Sequence, residues 1–301
     1  MADVFVVGSI NQDFVLGVER RPEPGETVTD ARLATHNGGK GANQAAAAAL
    51  LGASVAFLGR VGDDGFGEPL VRSLADKGVD TSLVQEVPGS STGTAFITVT
   101  PDGDNAITVA PGANRRLTTE DVDDAAESIG EARLLVAQME IPPEVVVRAA
   151  EVAAGSGTRA LVNLAPPFEV PRALLEKLDP LVLNEHEAAF ILGGMVEGVD
   201  GALEAASRLL SLGPRSVVIT VGEDGAVFSG GESARHVEAP RVEVVDTTGA
   251  GDAFVGALAA GLADDTPLED AVAYAVRAGA AAVTKEGAQG ALPTPETVEA
   301  L

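Results

Sequence analysis

Apolar runs of strand length alternate with helical patterns along almost the whole chain, and this alternation limits the fold more than any other feature. Val4–Val7, Val55–Leu58, Leu134–Gln138, Ala160–Asn163, Leu181–Leu183 and Val217–Val221 read as short buried strands. Helical stretches fall at about Asn43–Leu51, Glu68–Lys77, Val122–Ile129, Glu144–Ala154, Ala202–Leu212, Gly251–Leu262 and Leu268–Val283. Gly52 and Gly78 follow the first two, as a residue in left-handed conformation often does at a helix end. Alternating β and α units predict an α/β fold. Its centre is a doubly wound, mainly parallel sheet flanked by helices on both faces.

Two stretches break the alternation. About 13–37 holds Phe14-Val15-Leu16, then Pro22, Pro24 and Gly25. Within about 91–110, Thr94–Thr100 and Asn105–Val109 flank Pro101-Asp102-Gly103-Asp104, a hairpin signal. Ile97 and Val99 alternate with Thr98 and Thr100, giving that strand one apolar and one polar face. Neither stretch has room for a crossover helix. Together they are expected to form a small sheet projecting from a single domain that spans 1–301.

The core must be built from Ala, Val, Leu and Ile, because aromatics are only 3% of a chain that is 46% hydrophobic, with no Trp and one Tyr. Cysteine is absent, which excludes disulfides, thiolate catalysis and Cys-ligated metals. The longest uncharged stretch, Gly41–Gly59, is long enough to raise a membrane span. Its Asn43, Gln44 and Ser54, and the turn at Gly52, favour a buried helix followed by a strand. The N-terminal residues carry no basic, signal-like segment, so the expectation is a soluble, cytoplasmic protein.

Twenty Lys and Arg against 45 Asp and Glu give a formal net charge of −25. A general nucleic-acid partner is excluded, since phosphates need a basic face, and anionic membrane is disfavoured. The acidity leaves two readings open: a hydrated surface suited to high salt, or an ordinary acidic enzyme from an Arg- and Ala-rich proteome.

Asp246-Thr247-Thr248-Gly249-Ala250-Gly251-Asp252-Ala253-Phe254 follows the strand-like Val242–Val245 and opens an apolar helix. Its small residues let backbone N–H groups approach an anion at a helix N-terminus, with the Asp252 carboxylate beside it. Taken alone, Asp252 reads equally as a helix-start residue. Asn37-Gly38-Gly39-Lys40-Gly41-Ala42-Asn43-Gln44 likewise runs from glycines into a helix, around one of only four lysines. It is not a Walker loop, because Gly41 follows Lys40. Gly8-Ser9-Ile10-Asn11-Gln12-Asp13 leaves the first strand at its carboxyl end, where α/β folds bind ligands. A carboxamide and a carboxylate there suit sugar hydroxyls, which both donate and accept.

Asn184-Glu185-His186-Glu187 could hold a hydrated Mg²⁺ through Asn184 and Glu187, or merely cap a helix. Thr220-Val221-Gly222-Glu223-Asp224-Gly225 could lie against a nucleotide, although alone it reads as a hairpin turn. His36, His186 and His236 lack ligand spacing and read as surface or loop residues. Tyr274 reads as helix packing, and Arg20 and Arg21 as a solvated surface.

These motifs, in this order, resemble the ribokinase (PfkB) family of sugar kinases over essentially the whole chain. Gly38–Arg60 with Val61-Gly62-Asp63-Asp64-Gly65-Phe66-Gly67 is similar to the family's first signature, and Asp246–Phe254 to its second. Within the family, Gly8–Asp13 and Gly38–Ala45 look most like the ribose-phosphorylating branch. The resemblance implies a ribokinase-like fold whose small sheet is a lid, formed by the insertions at about 13–37 and 91–110. It also implies a homodimer joined through that lid.

The resemblance further implies transfer of the γ-phosphoryl of MgATP to the 5-hydroxyl of D-ribose. The alternatives are fructose, 2-keto-3-deoxygluconate or a nucleoside as acceptor, and a non-enzymatic sugar or nucleotide sensor. Asp252 would be the base, and Gly249, Ala250 and Gly251 the anion hole. Asn11, Asp13, Gly39, Lys40, Asn43 and Glu140 would hold the sugar together with Asp252. Asn184, Thr220, Gly222 and Gly225 would contact ATP, and Glu187 would serve Mg²⁺ through water. A monovalent cation, K⁺, would sit behind the anion hole on Asp246 and on carbonyls of Thr248, Ala282, Lys285 and Gly287. Ala291 stands where many members of the family carry a Ser ligand.

Overall fold

A computed structural model of the chain describes residues 2–102, 104–231 and 233–301. The chain opens with β1 (Val4–Val7), β2 (Asn11–Gly17) and β3 (Arg32–Gly38), then enters α1 (Lys40–Leu50). Next come β4 (Val55–Gly62), α2 (Gly67–Asp76), β5 (Val79–Val87) and a hairpin of β6 (Gly93–Val99) and β7 (Asn105–Ala110). A 3₁₀ turn at Gly112–Arg116 leads to α3 (Thr119–Asp124), α4 (Ala126–Glu131), β8 (Leu134–Gln138), α5 (Pro143–Ser156) and β9 (Arg159–Asn163). Then follow α6 (Arg172–Leu175), β10 (Leu181–Asn184), α7 (Glu185–Leu192) and α8 (Gly198–Leu210). The last elements are β11 (Val217–Thr220), β12 (Ala226–Ser229), β13 (Arg235–Val237), α9 (Ala250–Ala263), α10 (Leu268–Ala282) and α11 (Pro295–Glu299).

Nine strands form the main sheet in the order β13-β12-β11-β10-β9-β8-β1-β4-β5. Neighbours from β11 to β5 are parallel, and β12 and β13 add an antiparallel edge. The winding direction reverses at β1, with β4 and β5 on one side and β8 onward on the other. Such a switch opens a crevice at the carboxyl ends of the strands. Successive side chains of β1 point to opposite layers. Val4 and Val6 pack with residues of α1, α9 and α10, while Phe5 and Val7 pack with residues of α4, α5 and α8.

Small side chains let helices touch. A Cβ built on Gly256 of α9 would lie 2.4 Å from the Ala47 Cβ of α1, so these helices meet almost backbone to backbone. That contact fixes their relative position one turn away from Asp252, Asn43 and Gln44.

The second sheet has the order β3-β2-β6-β7, with β2 parallel to β6 and the outer pairs antiparallel. Phe14 stacks on Phe96 at 5.4 Å and meets Phe66 edge-on at 5.7 Å. The sheet is anchored by Asp64, which accepts from the N–H and hydroxyl of Thr92, both at 2.7 Å. Burial alone raises the pKa of Asp64, but these bonds and those from Phe66 and Gly67 hold it below its ordinary value. The turn of the Thr100–Asp104 hairpin includes Gly103, which lies outside the described residues.

Several expectations are corrected. The helix read at Val122–Ile129 is two helices, because Ala125 leaves helical geometry at ψ 3°, although Val122, Ala125 and Ile129 still face one core. Val242–Val245 forms no strand. Its end is pinned instead by N–H groups of Val245 and Asp246 to the Val283 carbonyl, and Val244 and Val245 stay exposed. β5, β12 and β13 were not read. β5 and β13 are edges with polar, solvent-facing positions, and β12 is only four residues long and follows directly on the turn motif that ends at Gly225. His36 sits on β3 rather than in a loop. Tyr274 packs against the core beside Arg277. Among the described residues no helix is long and apolar enough to cross a membrane.

Candidate active site

α9 begins at Gly249, whose φ of 77° belongs to the left-handed region and whose side no cap residue closes. The N–H groups of Gly249, Gly251 and Asp252 make no hydrogen bond among the described residues. Ala250 differs, since its N–H donates to the Thr247 carbonyl at 3.2 Å. Free amides and the positive end of the helix dipole therefore converge on one spot. The Asp252 carboxylate, 8% exposed, lies beside them. Its Oδ2 accepts from Asn43 Nδ2 at 2.9 Å and its Oδ1 from Gln44 Nε2 at 3.0 Å.

The Gln44 orientation is fixed by chemistry at the far end of a chain of contacts. The Val182 carbonyl can only accept, so the Asn163 atom facing it, at 3.3 Å, is Nδ2. Asn163 Oδ1 then accepts from Gln44 Nε2 at 3.0 Å, and Gln44 Oε1 accepts from Gln138 Nε2 at 2.7 Å. Gln138 and Asn163 have no site role in the sequence reading, and Gln44 enters it only as a carboxamide of the Asn37–Gln44 motif. The signal was present, because Gln138 and Asn163 are polar residues ending apolar strands at the carboxyl edge of the sheet.

A cavity of about 240 Å³ lies between the main sheet and the small one. Asn11, Asp13, Gly39, Lys40, Asn43, Glu140 and Asp252 all line it, with Ala95, Ile97, Ile107 and Val109 from the small sheet. Gly39 is required there: its φ is 89°, and a Cβ would lie 2.8 Å from both the Asn11 nitrogen and the Ser9 carbonyl oxygen. Glu140 Oε2 accepts from Ser9 Oγ at 2.6 Å and from the Lys40 N–H at 3.0 Å, which holds the start of α1. Asp13 is buried with no partner for Oδ1. Burial, then repulsion from Glu140 and Asp252, raises its pKa to about 7, although Lys40 opposes this. Burial lowers the Lys40 ammonium's pKa, but Asp252, Glu140, Glu187 and Asp13 together outweigh that and hold it above its ordinary value.

Asp252, Gly249 and Lys40 also line a second cavity of about 240 Å³, together with Asn184, Glu187 and Thr220. Asn184 and Glu187 form a reciprocal cap at the start of α7, each N–H donating to the other's side chain at 2.8 Å. The capping role is thus real. Glu187 Oε1 makes no hydrogen bond among the described residues. Burial raises the Glu187 pKa, more than the Asn184 N–H and Lys40 lower it.

Thr220, Thr247 and Gly251 continue into a third cavity of about 660 Å³, walled by Phe254, Val276, Val283 and Pro240. Gly222 and Gly225 line it, and their motif is also the turn between β11 and β12. At Gly225, φ is 99° and a Cβ would meet the Val237 carbonyl at 2.1 Å. The α10 residues of this wall carry no sequence signal beyond helix periodicity.

Behind the α9 start, Asp246 accepts from the Thr248 N–H at 2.9 Å and the Gly287 N–H at 2.8 Å, joining two loops. Burial alone raises its pKa, but those donors outweigh it and hold it below the ordinary value. Thr248 lines the first cavity, whereas Ala282, Lys285 and Gly287 line none of the three. Among the described residues no cluster of three or more His, Asp or Glu stands at metal-ligating spacing.

Residues 1–295 match the pfkB family carbohydrate kinase. Ribokinase from Staphylococcus aureus (strain COL) is 38% identical over 298 residues, covering 98% of each chain. Deoxyribokinase from Salmonella typhi is also 38% identical, over 295 residues, covering 98% of this chain and 96% of that one. The structure of Arabidopsis thaliana ribokinase complexed with ribose and ATP matches with a TM-score of 0.91 at 31% identity, covering 99% of this chain and 98% of that one. Motifs, sheet order and these likenesses agree, and the chain belongs to the pfkB family of carbohydrate kinases.

Proposed function

We propose that the chain transfers the γ-phosphoryl of MgATP to the 5-hydroxyl of D-ribose. The observation that carries this is the position of Asp252, whose carboxylate lines both 240 Å³ cavities beside unpaired helix-start amides. A hydroxyl held in the first cavity reaches a base and an anion hole together. The relatives named ribokinase support ribose as acceptor.

Asn11, Asp13, Lys40, Asn43 and Glu140 hold the sugar, and Asp252 takes the proton from its primary hydroxyl. A carboxylate is a weak base at neutral pH. It suffices where the proton leaves late in a loose transition state, so positioning and charge stabilisation dominate. The N–H groups of Gly249 and Gly251 and the Lys40 ammonium stabilise charge on the moving phosphoryl oxygens. Ala250, whose N–H is turned to Thr247, contributes chiefly by its small size. The third cavity takes the nucleotide, with Thr220, Gly222 and Gly225 along one side and an apolar slot for the base.

The donor set fits a hydrated Mg²⁺ held by one carboxylate and by nucleotide phosphates, since Glu187 keeps one free oxygen at the second cavity. Mg²⁺ held there would neutralise phosphate charge. Asp246, bridging the Thr248 and Gly287 loops, fits the anionic ligand of a K⁺ site completed by carbonyls of Thr248, Ala282, Lys285 and Gly287. Ala291 supplies no side-chain oxygen. Closure of the small sheet over the first cavity excludes water. The unpaired edge of β7, the last strand of that sheet, supports pairing with a second copy as a homodimer. Use of ATP supports a cytoplasmic site of action.

Deoxyribokinase at the same identity makes 2-deoxyribose the rival acceptor. A nucleoside is disfavoured, because among the described residues no aromatic side chain lines the first cavity to stack a base. ADP release is measured with MgATP and KCl across ribose, 2-deoxyribose, fructose, 2-keto-3-deoxygluconate and adenosine. The highest kcat/KM is expected for ribose. A clear preference for another acceptor moves the substrate assignment, and silence across the panel overturns the kinase reading.

A further inference from the structure

Asn114 lies in the 3₁₀ turn after β7 and is 1% exposed. Its side chain spans the start of β2 through three contacts. Oδ1 accepts from the Ile10 N–H at 3.0 Å, and Nδ2 donates to the Ile10 carbonyl at 3.2 Å and to Asn11 Oδ1 at 2.7 Å. The polarity of the Ile10 backbone leaves no freedom here. An N–H only donates and a carbonyl only accepts, so the Asn114 amide has one orientation. Its Nδ2 in turn only donates, so the Asn11 atom it meets is the oxygen. Asn11 therefore turns its NH₂ group away from Asn114, and that group makes no hydrogen bond among the described residues. Gly93 leaves the space for this pair, since a Cβ there would lie 2.2 Å from both Asn11 Oδ1 and Asn114 Nδ2.

We propose that Asn114 is a positioning residue for sugar recognition, which makes Asn11 a pure hydrogen-bond donor toward the sugar while neighbouring Asp13 serves as the acceptor. This rests on the sugar-kinase reading of the same cavity. A hydroxyl facing Asn11 must then offer a lone pair, and one facing Asp13 must offer its proton. Asn114 never touches the sugar. It acts by holding one of two nearly isosteric orientations of the Asn11 amide.

Asn114→Asp tests this. The variant keeps an oxygen for the Ile10 N–H but offers Asn11 no donor, so the Asn11 amide reverses. Steady-state kinetics with ribose and MgATP should show KM for ribose raised at least about tenfold, the scale of one hydrogen bond. Turnover should stay within about threefold and KM for MgATP should not change. A folded variant with unaltered KM for ribose overturns the proposal, as does a parallel change in kcat and both KM values. If the variant does not fold, ¹⁵N NMR of the wild-type protein decides. Its Asn11 side-chain NH₂ resonances, assigned by their loss in Asn11→Asp, should shift on adding ribose. Ribose that binds without moving them overturns the Asn114 assignment alone, whereas ribose that does not bind at all overturns ribose as the acceptor with it.

Discussion

Gln44 Nε2 stands 3.0 Å from Asp252 Oδ1, and through Asn163 the same nitrogen is tied to the backbone carbonyl of Val182. The base is thus oriented from a strand it does not belong to. Replacing Gln44 by Met keeps its length and removes both its donor and its acceptor. Turnover is expected to fall about tenfold or more, because Asp252 is then held only by Asn43. Binding of sugar and ATP, followed by calorimetry, should change less than about threefold. Stability should drop by about 1–3 kcal/mol, since Gln138 and Asn163 lose partners in a buried site. Unchanged turnover would show that Asn43 alone aligns the carboxylate.

Asp252→Asn retains the shape of the site and removes the proton acceptor. Turnover is expected to fall at least about 100-fold, the usual scale for a general base, while ribose and ATP still bind. A coupled assay beside calorimetry checks both halves. Near-normal turnover removes Asp252 from the base role.

Asp13 gives the site a pH dependence. Its pKa is raised to about 7 by burial and by Glu140 and Asp252, with Lys40 opposing. The folded state therefore holds this proton more tightly than the unfolded chain. The stability cost is absent below the unfolded pKa near 4, grows as pH rises, and is complete above about 7. Asp13→Asn should raise Tm relative to the parent at pH 8, and the difference should shrink to nothing toward pH 4. For function the sign is opposite, because only the carboxylate accepts two sugar hydroxyls. kcat/KM for ribose should rise through pH 7 in the parent. In Asp13→Asn that limb should vanish and KM should increase. A flat parent profile from pH 6 to 8 would contradict this.

The approach of α1 and α9 admits no side chain at Gly256. Gly256→Val places carbon 2.4 Å from the Ala47 Cβ and forces the helices apart. A loss of about 2–3 kcal/mol is expected from overpacking, read as a fall in Tm. Turnover should fall with it, because the same helices carry Gln44 and Asp252. Full activity in a destabilised variant would mean that the catalytic contacts do not depend on the crossing.

The alternation of apolar runs placed six of the seven inner strands of the main sheet within a few residues, all but β12, and Val4–Val7 and Leu134–Gln138 to the residue. A strand buried on both faces must be apolar throughout, so its signal is local. β5 and β13 escaped notice because edge strands carry polar residues where solvent meets them. Val242–Val245 misled for the converse reason: β-branched residues were present, but Val244 and Val245 stay exposed and the N–H groups at the segment's end go to the Val283 carbonyl instead of a strand.

What the sequence determined by itself was chemistry at fixed spacing. Glycines at Gly39, Gly249 and Gly225 mark backbone that no side chain can follow, and Asp252 at a helix start marks a carboxylate beside free amides. Both follow from a few consecutive residues. Tertiary structure alone decided which polar groups face one another. Asn114 meets Asn11 across 103 positions and Gln44 meets Asp252 across 208. Amide groups look alike in a sequence, and only their buried partners settle which end donates and which accepts. The same holds for Asp13, whose acidity depends on how closely Glu140 and Asp252 are folded around it.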